Sequence, residues 1–433
     1  MKKYFALFLL CAFAIACNKK EEDTITVTPA TYSASYEGDS FTVTVTANGD
    51  YTAEANVTWL KVEDTKVTIE ENEETSERSG IITFTNGSAS ATVTVSQGAT
   101  PVYNEIQSDP ANCYIVSEAG NYKFKATVMG NGDAGLHSTF PIKSTTIAPV
   151  DAKLVWEEVE GLITNVKLKD GYIQFTCANK DGNAVLAATD KEGAVLWSWH
   201  IWSAEAPKDV VCNDTFTLMD RNLGATATGV AAEAYGLYYQ FGRKDPFSRT
   251  IAFDSGAGEG WYHPVVGGGD DESNTAIHAI PYSIAHPEEY IAKSNRNNDW
   301  LIEANQRYVW GINWELDGNI DYPAFKSLFD PCPAGYVVAT PNCLAAGLAS
   351  GGSRESDNSV KMFDGKISVP AAGFVYNGGF GWYDADGAGW TGLWTCSTSW
   401  GNTENGFRLK SNEDARDNYD RACAHPVRCL KLK

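Results

Sequence analysis

The stretch Thr92-Val93-Thr94-Val95-Ser96-Gln97 alternates polar and apolar side chains residue by residue. Successive side chains of a β-strand point to opposite faces, so this period of two predicts a strand with one buried face. Residues 41–46 repeat the pattern, and Asn86-Gly87 supplies residue types that accept the positive φ of a hairpin turn. These features predict an antiparallel β-sandwich of about the immunoglobulin size.

Three short motifs follow one another in this region: Trp59-Leu60, then Arg78-Ser79-Gly80-Ile81-Ile82, then residues 92–97. This order resembles the BACON domain, a small β-sandwich on the N-terminal side of Bacteroidetes surface proteins. The resemblance covers residues 27–99. It implies either carbohydrate binding or a spacer that lifts a working domain off the membrane. Trp59 lies among apolar strand residues, which favours a core position over a sugar platform.

The N-terminus has the pattern of a bacterial export signal. Met1-Lys2-Lys3 is positive, and the apolar residues 4–15 are too few for a spanning helix. Ala14-Ile15-Ala16-Cys17 resembles a lipobox, which implies a signal peptide over residues 1–17 and lipidation of Cys17. The acidic tether, residues 18–26, resembles the surface-export signal of Bacteroidetes lipoproteins. We therefore expect a cell-surface lipoprotein of the outer membrane, held there by its lipid alone; an ordinary signal peptide is the alternative.

The net charge and the aromatic content limit the kinds of ligand that the protein is expected to bind. The 433 residues carry a net charge of −21, which makes polyanions such as nucleic acid poor ligands and leaves neutral glycans or cationic surfaces. Thirteen Trp and twenty Tyr exceed what a core of this size needs, so some are expected at a surface. The length predicts two to four domains.

Residues 101–208 are predicted to form a second β-sandwich-like domain. Its densest aromatic run is Trp197-Ser198-Trp199-His200-Ile201-Trp202. A strand would place Trp197, Trp199 and Ile201 on one face, with Ser198, His200 and Trp202 on the other. Because both faces are largely apolar, we expect a central strand or one buried at a domain junction. Core packing is favoured over a sugar platform for the two tryptophans, and a structural role for His200.

Residues 213–433 are rich in Gly, Trp and Asn. The ordered motifs of this part are Met219-Asp220-Arg221-Asn222-Leu223-Gly224-Ala225, residues 235–243, Asp330-Pro331-Cys332-Pro333-Ala334-Gly335-Tyr336, residues 371–374, residues 394–399 and Pro426-Val427-Arg428-Cys429. They resemble the Fibrobacter succinogenes major paralogous domain and, more distantly, the C-type-lectin and formylglycine-generating-enzyme fold. Residues 336–341 depart from the family's Trp-Arg-Val-Pro. The expected fold is mostly β: two N-terminal β-sandwiches followed by an irregular α+β C-type-lectin-like domain.

Eight of the ten cysteines lie beyond the signal segment, and no CxxC motif with partner histidines occurs, so zinc is not expected there. In the lectin-like fold the last strand, which carries Cys429, returns beside an earlier element. Cys332 lies in a turn between two prolines. The resemblance thus implies a Cys332–Cys429 disulfide, with two buried thiols or a bond to Cys423 as alternatives.

The sequence contains no Gly-x-Ser-x-Gly nucleophile elbow. His263, His278 and His286 share one stretch with Glu288 and Glu289, but no local spacing supports a three-histidine metal site, and scattered loop histidines are the favoured interpretation. The protein is therefore predicted not to be an enzyme and to need no cofactor or metal. Calcium is left open at Asp384-Ala385-Asp386-Gly387, where full EF-hand spacing does not follow.

One loop carries the expected ligand contact: Trp382, Tyr383, Asp384, Asp386 and Trp390. Flat aromatic faces stack on sugar rings and carboxylates accept hydrogen bonds from hydroxyls, but loop aromatics also cover their own loops, and both interpretations stay open. The expected function is a lipid-anchored surface protein whose C-terminal domain recognises extracellular glycans. The alternative is an adhesin or fimbria-associated structural subunit that contacts surface proteins.

Overall fold

The computed structural model describes residues 22–106, 109–133, 142, 144–248, 263–267, 276–293, 299–302, 309–310, 326–376, 379–381, 391–398, 405–411 and 413–433. The chain is mostly β, as predicted. It divides into two compact units, Met1–Val102 and Tyr103–Lys433. Within the described ranges, no helix is both long and apolar enough to cross a bilayer.

The first unit is a β-sandwich. Its strands are β1 (Ile25–Thr28), β2 (Thr31–Ala34), β3 (Asp39–Thr42), β4 (Thr44–Ala47), β5 (Thr52–Ala55), β6 (Leu60–Glu63), β7 (Lys66–Ile69), β8 (Arg78–Asn86) and β9 (Ala89–Gln97). One sheet has the order β2-β9-β8-β5, another the order β3-β7-β6, and β1 pairs with β4. The predicted hairpin turn joins β8 to β9, with Gly87 at φ +55°. β1 includes residues 25 and 26, which the sequence assigned to the tether.

The alternating pattern of β9 decides which side chains are buried. Val93 and Val95 are fully buried, together with Ile82 and Phe84 of β8. Trp59 packs against the edge of this core, and the guanidinium of Arg78 lies 4.5 Å above its ring. The core position favoured for Trp59 agrees with this packing.

The second unit begins with another sandwich. Its strands are β10 (Asn104–Glu105), β11 (Cys113–Val116), β12 (Gly120–Lys125), β13 (Asp151–Glu157), β14 (Ile163–Lys169), β15 (Tyr172–Cys177), β16 (Gly182–Thr189) and β17 (Val195–Ser203). The two sheets have the orders β10-β12-β15-β14 and β11-β17-β16-β13. β17, the predicted aromatic strand, is central, and Trp197, Trp199 and Trp202 are all fully buried.

In the rest of the unit, the described residues form small sheets, two short α-helices and the 3-10 helix Ala232–Ala234. Its strands are β18 (Asp209–Val211), β19 (Thr217–Asn222), β20 (Tyr238–Gln240), β21 (Val265–Val266), β22 (Tyr290–Ile291), β23 (Tyr336–Val338), β24 (Ser353–Arg354), β25 (Val360–Met362), β26 (Ile367–Val369), β27 (Phe374–Tyr376), β28 (Gly379–Gly381), β29 (Gly392–Thr398), β30 (Asn405–Lys410), β31 (Asp414–Asp420), β32 (Ala424–Pro426) and β33 (Arg428–Lys431). The helices are α1 (Ile280–Ala285) and α2 (Pro341–Ala349). Thr340 caps α2 by accepting a hydrogen bond from the Cys343 N–H at 3.1 Å.

The two parts of the second unit share one hydrophobic core, to which the sandwich contributes Trp199 and the later part contributes Val427. Polar contacts cross the same junction: Asn112 Nδ2 donates to the carbonyl oxygens of Leu328 at 2.8 Å and Asp330 at 2.9 Å. Within the sandwich, the indole Nε1 of Trp197 donates to Asn112 Oδ1 at 2.9 Å. The boundary predicted between residues 208 and 213 therefore lies inside one compact unit.

The last strand, β33, lies between β19 and β23. Arg428 on β33 is buried and donates from Nε to Asn222 Oδ1 at 3.0 Å. Cys429, the next residue, forms a disulfide with Cys332, and their Cα atoms are 6.0 Å apart. This is the cysteine pair that the resemblance implied. It joins the final strand to a turn 97 residues earlier.

Candidate functional site

An open cleft of about 430 Å³ lies where the sandwich of the second unit meets the segment after β19. The sandwich supplies one wall from the end of β13 and the start of β16. The segment after β19, with the short 3-10 helix Ala232–Ala234, supplies the other. The polar side chains that line the cleft are Glu158, Asp181, Asn183, Thr226, Glu233 and Tyr235.

Asn183 connects both walls. Its side-chain nitrogen donates to Glu158 Oε2 at 2.6 Å and to the carbonyl oxygen of Gly224 at 2.8 Å. Its Oδ1 accepts a hydrogen bond from His200 Nε2 at 2.8 Å. Asn183 is almost fully buried, so the amide that orients Glu158 is itself held in one position.

His200 continues this network into the core. Because Nε2 donates to Asn183, Nδ1 is left to accept from the hydroxyl of Tyr239, 3.4 Å away. Burial lowers the pKa of His200 to about 3, so the ring is neutral at physiological pH. His200 is thus a structural histidine, as expected from the sequence.

The second oxygen of Glu158 is also held. The hydroxyl of Ser248 donates to Glu158 Oε1. The backbone N–H of Ser248 donates to His263 Nε2 at 3.2 Å. Both carboxylate oxygens of Glu158 therefore accept hydrogen bonds inside the protein, which fixes the group at the edge of the cleft.

Two glycines shape the wall. Gly224 has φ +83°, and a Cβ there would lie 2.6 Å from Leu237 Cγ and 3.2 Å from Asn183 Oδ1. Gly236 has φ +71°, and a Cβ would lie 2.6 Å from the carbonyl oxygen of Leu223. Both positions need a left-handed backbone and have no room for a side chain, so only glycine fits without strain.

The charged groups that line the cleft are hydrogen-bond acceptors. Three carboxylates, those of Glu158, Asp181 and Glu233, face a space large enough for a small ligand. Such groups bind ligands that present several hydroxyls or a positive charge, and they repel anions. The lining fits a polar ligand rather than an apolar one.

The residues predicted to contact the ligand cannot be compared with this cleft. Trp382, Tyr383, Asp384, Asp386 and Trp390 lie outside the described residues, as does the lipidation site Cys17. Gly224 lies in the motif of residues 219–225, and Asn183 in the turn Asp181-Gly182-Asn183, but neither residue was predicted to contact a ligand. Only the fold places them opposite each other.

The three histidines considered for a metal site differ in environment. His263 and His278 are buried, and their Nδ1 atoms lie 3.0 Å from the Glu288 carbonyl oxygen and 2.9 Å from the Trp300 carbonyl oxygen. His286 is more exposed and lies beside Glu288 and Glu289. The three rings therefore do not meet at one centre.

Comparison with protein families identifies one region. Residues 49–98 match the model of the BACON family, which is described as "Putative binding domain, N-terminal". The first unit thus contains a stretch that is similar to the BACON family. The match lies within residues 27–99 and supports that part of the resemblance.

A search of curated proteins returned no match. Among solved structures, a Bacteroides ovatus GH5 xyloglucanase in complex with a XXXG heptasaccharide is 17% identical, with a TM-score of 0.17, over 21% of this chain and 22% of that chain. A tandem of titin immunoglobulin domains is 10% identical, with a TM-score of 0.17, over 42% of this chain and 97% of that one. The chain thus spans about a fifth of the xyloglucanase, and neither likeness carries a functional argument.

Proposed function

We propose that this protein is a lipid-anchored binding protein of the cell surface that recognises neutral extracellular glycans. The observation that carries the proposal is the cleft of the second unit, in which three carboxylates and a buried amide surround a space of about 430 Å³. Sugars present dense arrays of hydroxyl donors, and fixed carboxylates are strong acceptors for them.

The charge of the site selects among glycans. Glu158, Asp181 and Glu233 give the cleft a negative field, and the whole chain has a net charge of −21. A sulfated or uronic-acid polymer would therefore be repelled, whereas neutral hexoses or pentoses would not.

The BACON match supports a role for the first unit as well, either as a second glycan contact or as a spacer.

The remaining parts of the proposal come from the sequence. The lipobox supports anchoring at Cys17 in the outer membrane, with the binding domains outside the cell. The motif order of residues 213–433 supports a C-type-lectin-like module of the Fibrobacter succinogenes major paralogous type. The lack of a catalytic motif supports a non-enzymatic role. The loop at residues 382–390 is proposed as a further contact for the same polymer.

The test is binding of the full chain to immobilised neutral and acidic polysaccharides, measured as isotherms. The double variant Asp181→Asn, Glu233→Gln should weaken binding to a neutral polysaccharide at least about 10-fold, because each charged acceptor is lost. Glu192→Gln, which removes an exposed carboxylate in the turn after β16, is the matched control and should bind like the original protein.

Trp382→Ala separates the two proposed contacts. If it weakens binding and the cleft variant does not, the ligand lies on the loop and the cleft proposal is wrong. If neither variant changes glycan binding, the ligand binds elsewhere and both proposed contacts are wrong. If the protein binds no polysaccharide, or binds only protein-coated surfaces, the glycan proposal fails and the adhesin alternative gains support.

A further inference from the structure

The loop after α1 brings three metal-ligating side chains together. The ligand atoms of His286, Glu288 and Glu289 all lie within 4.8 Å of one another, and all three residues are partly exposed. We infer that these residues form a binding site for a divalent transition cation of the zinc type. The site is separate from the cleft and does not depend on the glycan proposal.

Two of the proposed ligand atoms, on His286 and Glu289, are already close together. His286 Nδ1 lies 3.4 Å from Glu289 Oε1. A surface ion pair would need only these two groups, whereas the site contains a second carboxylate, that of Glu288, within the same radius. A cation placed between the three groups would satisfy both carboxylates and the imidazole at once.

Outer contacts orient the ligands in the manner typical of metal sites. The hydroxyl of Tyr282 donates to Glu289 Oε2 at 2.6 Å, which leaves Oε1 directed towards His286. The ring of Tyr282 is stacked on that of His286, with centroids 4.1 Å apart and an interplanar angle of 20°. In metalloproteins, such second contacts fix the rotamers of the ligating side chains.

Buried side chains also bind the backbone of the loop that follows α1. Buried Arg243 donates to the carbonyl oxygens of Glu289 at 2.6 Å and His286 at 3.1 Å. His263 contacts the carbonyl oxygen of Glu288 at 3.0 Å. The carbonyl of every ligating residue thus has a partner in the interior, so the loop is positioned before a cation arrives.

The donor set decides the class of cation. One imidazole nitrogen and two carboxylate oxygens suit zinc and its neighbours in the first transition row, with water completing a tetrahedral shell. Calcium prefers six to eight oxygen ligands, more than this group supplies. The charges are compatible with a divalent ion, because two carboxylates outweigh the single positive charge of Arg243.

The inference is tested by titrating the untagged, metal-free full chain with zinc chloride in a calorimeter. One zinc ion per chain should bind, and the melting temperature should rise with zinc, because a ligand of the folded state stabilises it. His286→Ala and Glu288→Gln should each lower the affinity at least about 100-fold, and Tyr282→Phe should lower it about 10- to 100-fold. Cobalt should give a visible d–d spectrum that His286→Ala abolishes.

The cleft variant Asp181→Asn, Glu233→Gln is the matched control and should bind zinc normally, which separates this site from the glycan proposal. The melting temperature of each variant without zinc shows whether it is folded, and the conservative Tyr282→Phe provides a second test if His286→Ala is not. Absence of zinc binding, unchanged zinc binding in the double variant His286→Ala, Glu288→Gln, or a preference for calcium over zinc would each overturn the inference.

Discussion

The Nδ1 atom of His263 lies 3.0 Å from the carbonyl oxygen of Glu288. Its Nε2 accepts from the backbone N–H of Ser248, so the proton of the neutral ring is on Nδ1 and points to Glu288. Ser248 in turn donates to Glu158. One buried imidazole therefore connects the wall of the cleft with the loop of the proposed metal site.

This arrangement makes stability depend on pH. Burial lowers the pKa of His263 to about 4 and that of His200 to about 3, below the ordinary value of 6.5. As the pH falls below 6.5, the unfolded chain takes up protons that the folded chain does not, so the free energy of unfolding decreases. Each histidine should contribute roughly 1.4 kcal/mol per pH unit until its folded pKa is reached.

Urea denaturation between pH 7 and pH 4.5 measures this effect. His263→Asn should reduce the slope of unfolding free energy against pH by about one proton relative to the original protein. His286→Asn, which alters a partly exposed ring, is the comparison. An unchanged slope in His263→Asn would show that groups other than this ring control the acid sensitivity.

The disulfide should be a main source of stability. In the chain-entropy model, closing a loop with a sequence separation of 97 contributes about 4.7 kcal/mol. Cys429→Ala should lower the free energy of unfolding by about that amount. Cys113→Ala removes a free buried thiol from the same core and should cost only about 1 kcal/mol. Denaturation with and without reductant checks the assignment: reductant should destabilise the original protein and leave Cys429→Ala unchanged.

Gly224→Ala tests the wall of the cleft. Gly229 also has a positive φ, +101°, but a Cβ there meets nothing within 4 Å. Gly229→Ala should cost roughly 1 kcal/mol of backbone strain alone. Gly224→Ala adds a clash with Leu237 and should cost about 3 kcal/mol, measured by denaturation. Equal losses in the two variants would contradict the close packing of this wall.

Membrane attachment stays a prediction from the sequence. Replacing Cys17 with Ala should move the protein from the membrane fraction to the soluble fraction, because no lipid can then be attached. Cys11→Ala, within the same signal segment, should stay with the membrane. Immunoblots of the separated fractions measure both, and a Cys17→Ala protein that remains membrane-bound would refute the anchor.

The sequence correctly predicted those strands and turns whose formation depends on residues close together in the chain. The alternation in residues 92–97 identified β9, the two-sided apolar run identified the central strand β17, and Asn86-Gly87 identified a hairpin. Each is a short-range signal, a period of two or a preference for positive φ. The same reasoning correctly placed Trp197 and Trp199 in the core.

The cleft could not be found in this way. Asn183 and Gly224 are separated by 41 residues, and their hydrogen bond exists only because the segment after β19 packs on the sandwich. The signal of Asn183 in the sequence is that of an ordinary turn residue. Likewise, the Tyr282–Glu289 hydrogen bond behind the proposed metal site follows from the end of α1, which no spacing rule specified.

The core that runs through the second unit has a practical consequence for experiments. A fragment that begins at residue 213 would leave Val427 and its neighbours without Trp199 and would remove one wall of the cleft, so it is expected to aggregate and to give false negatives in ligand screens. Cloning boundaries, limited proteolysis and domain-exchange designs should treat residues 103–433 as indivisible, and the natural point at which to cut or to fuse a reporter is the short connection near residue 102.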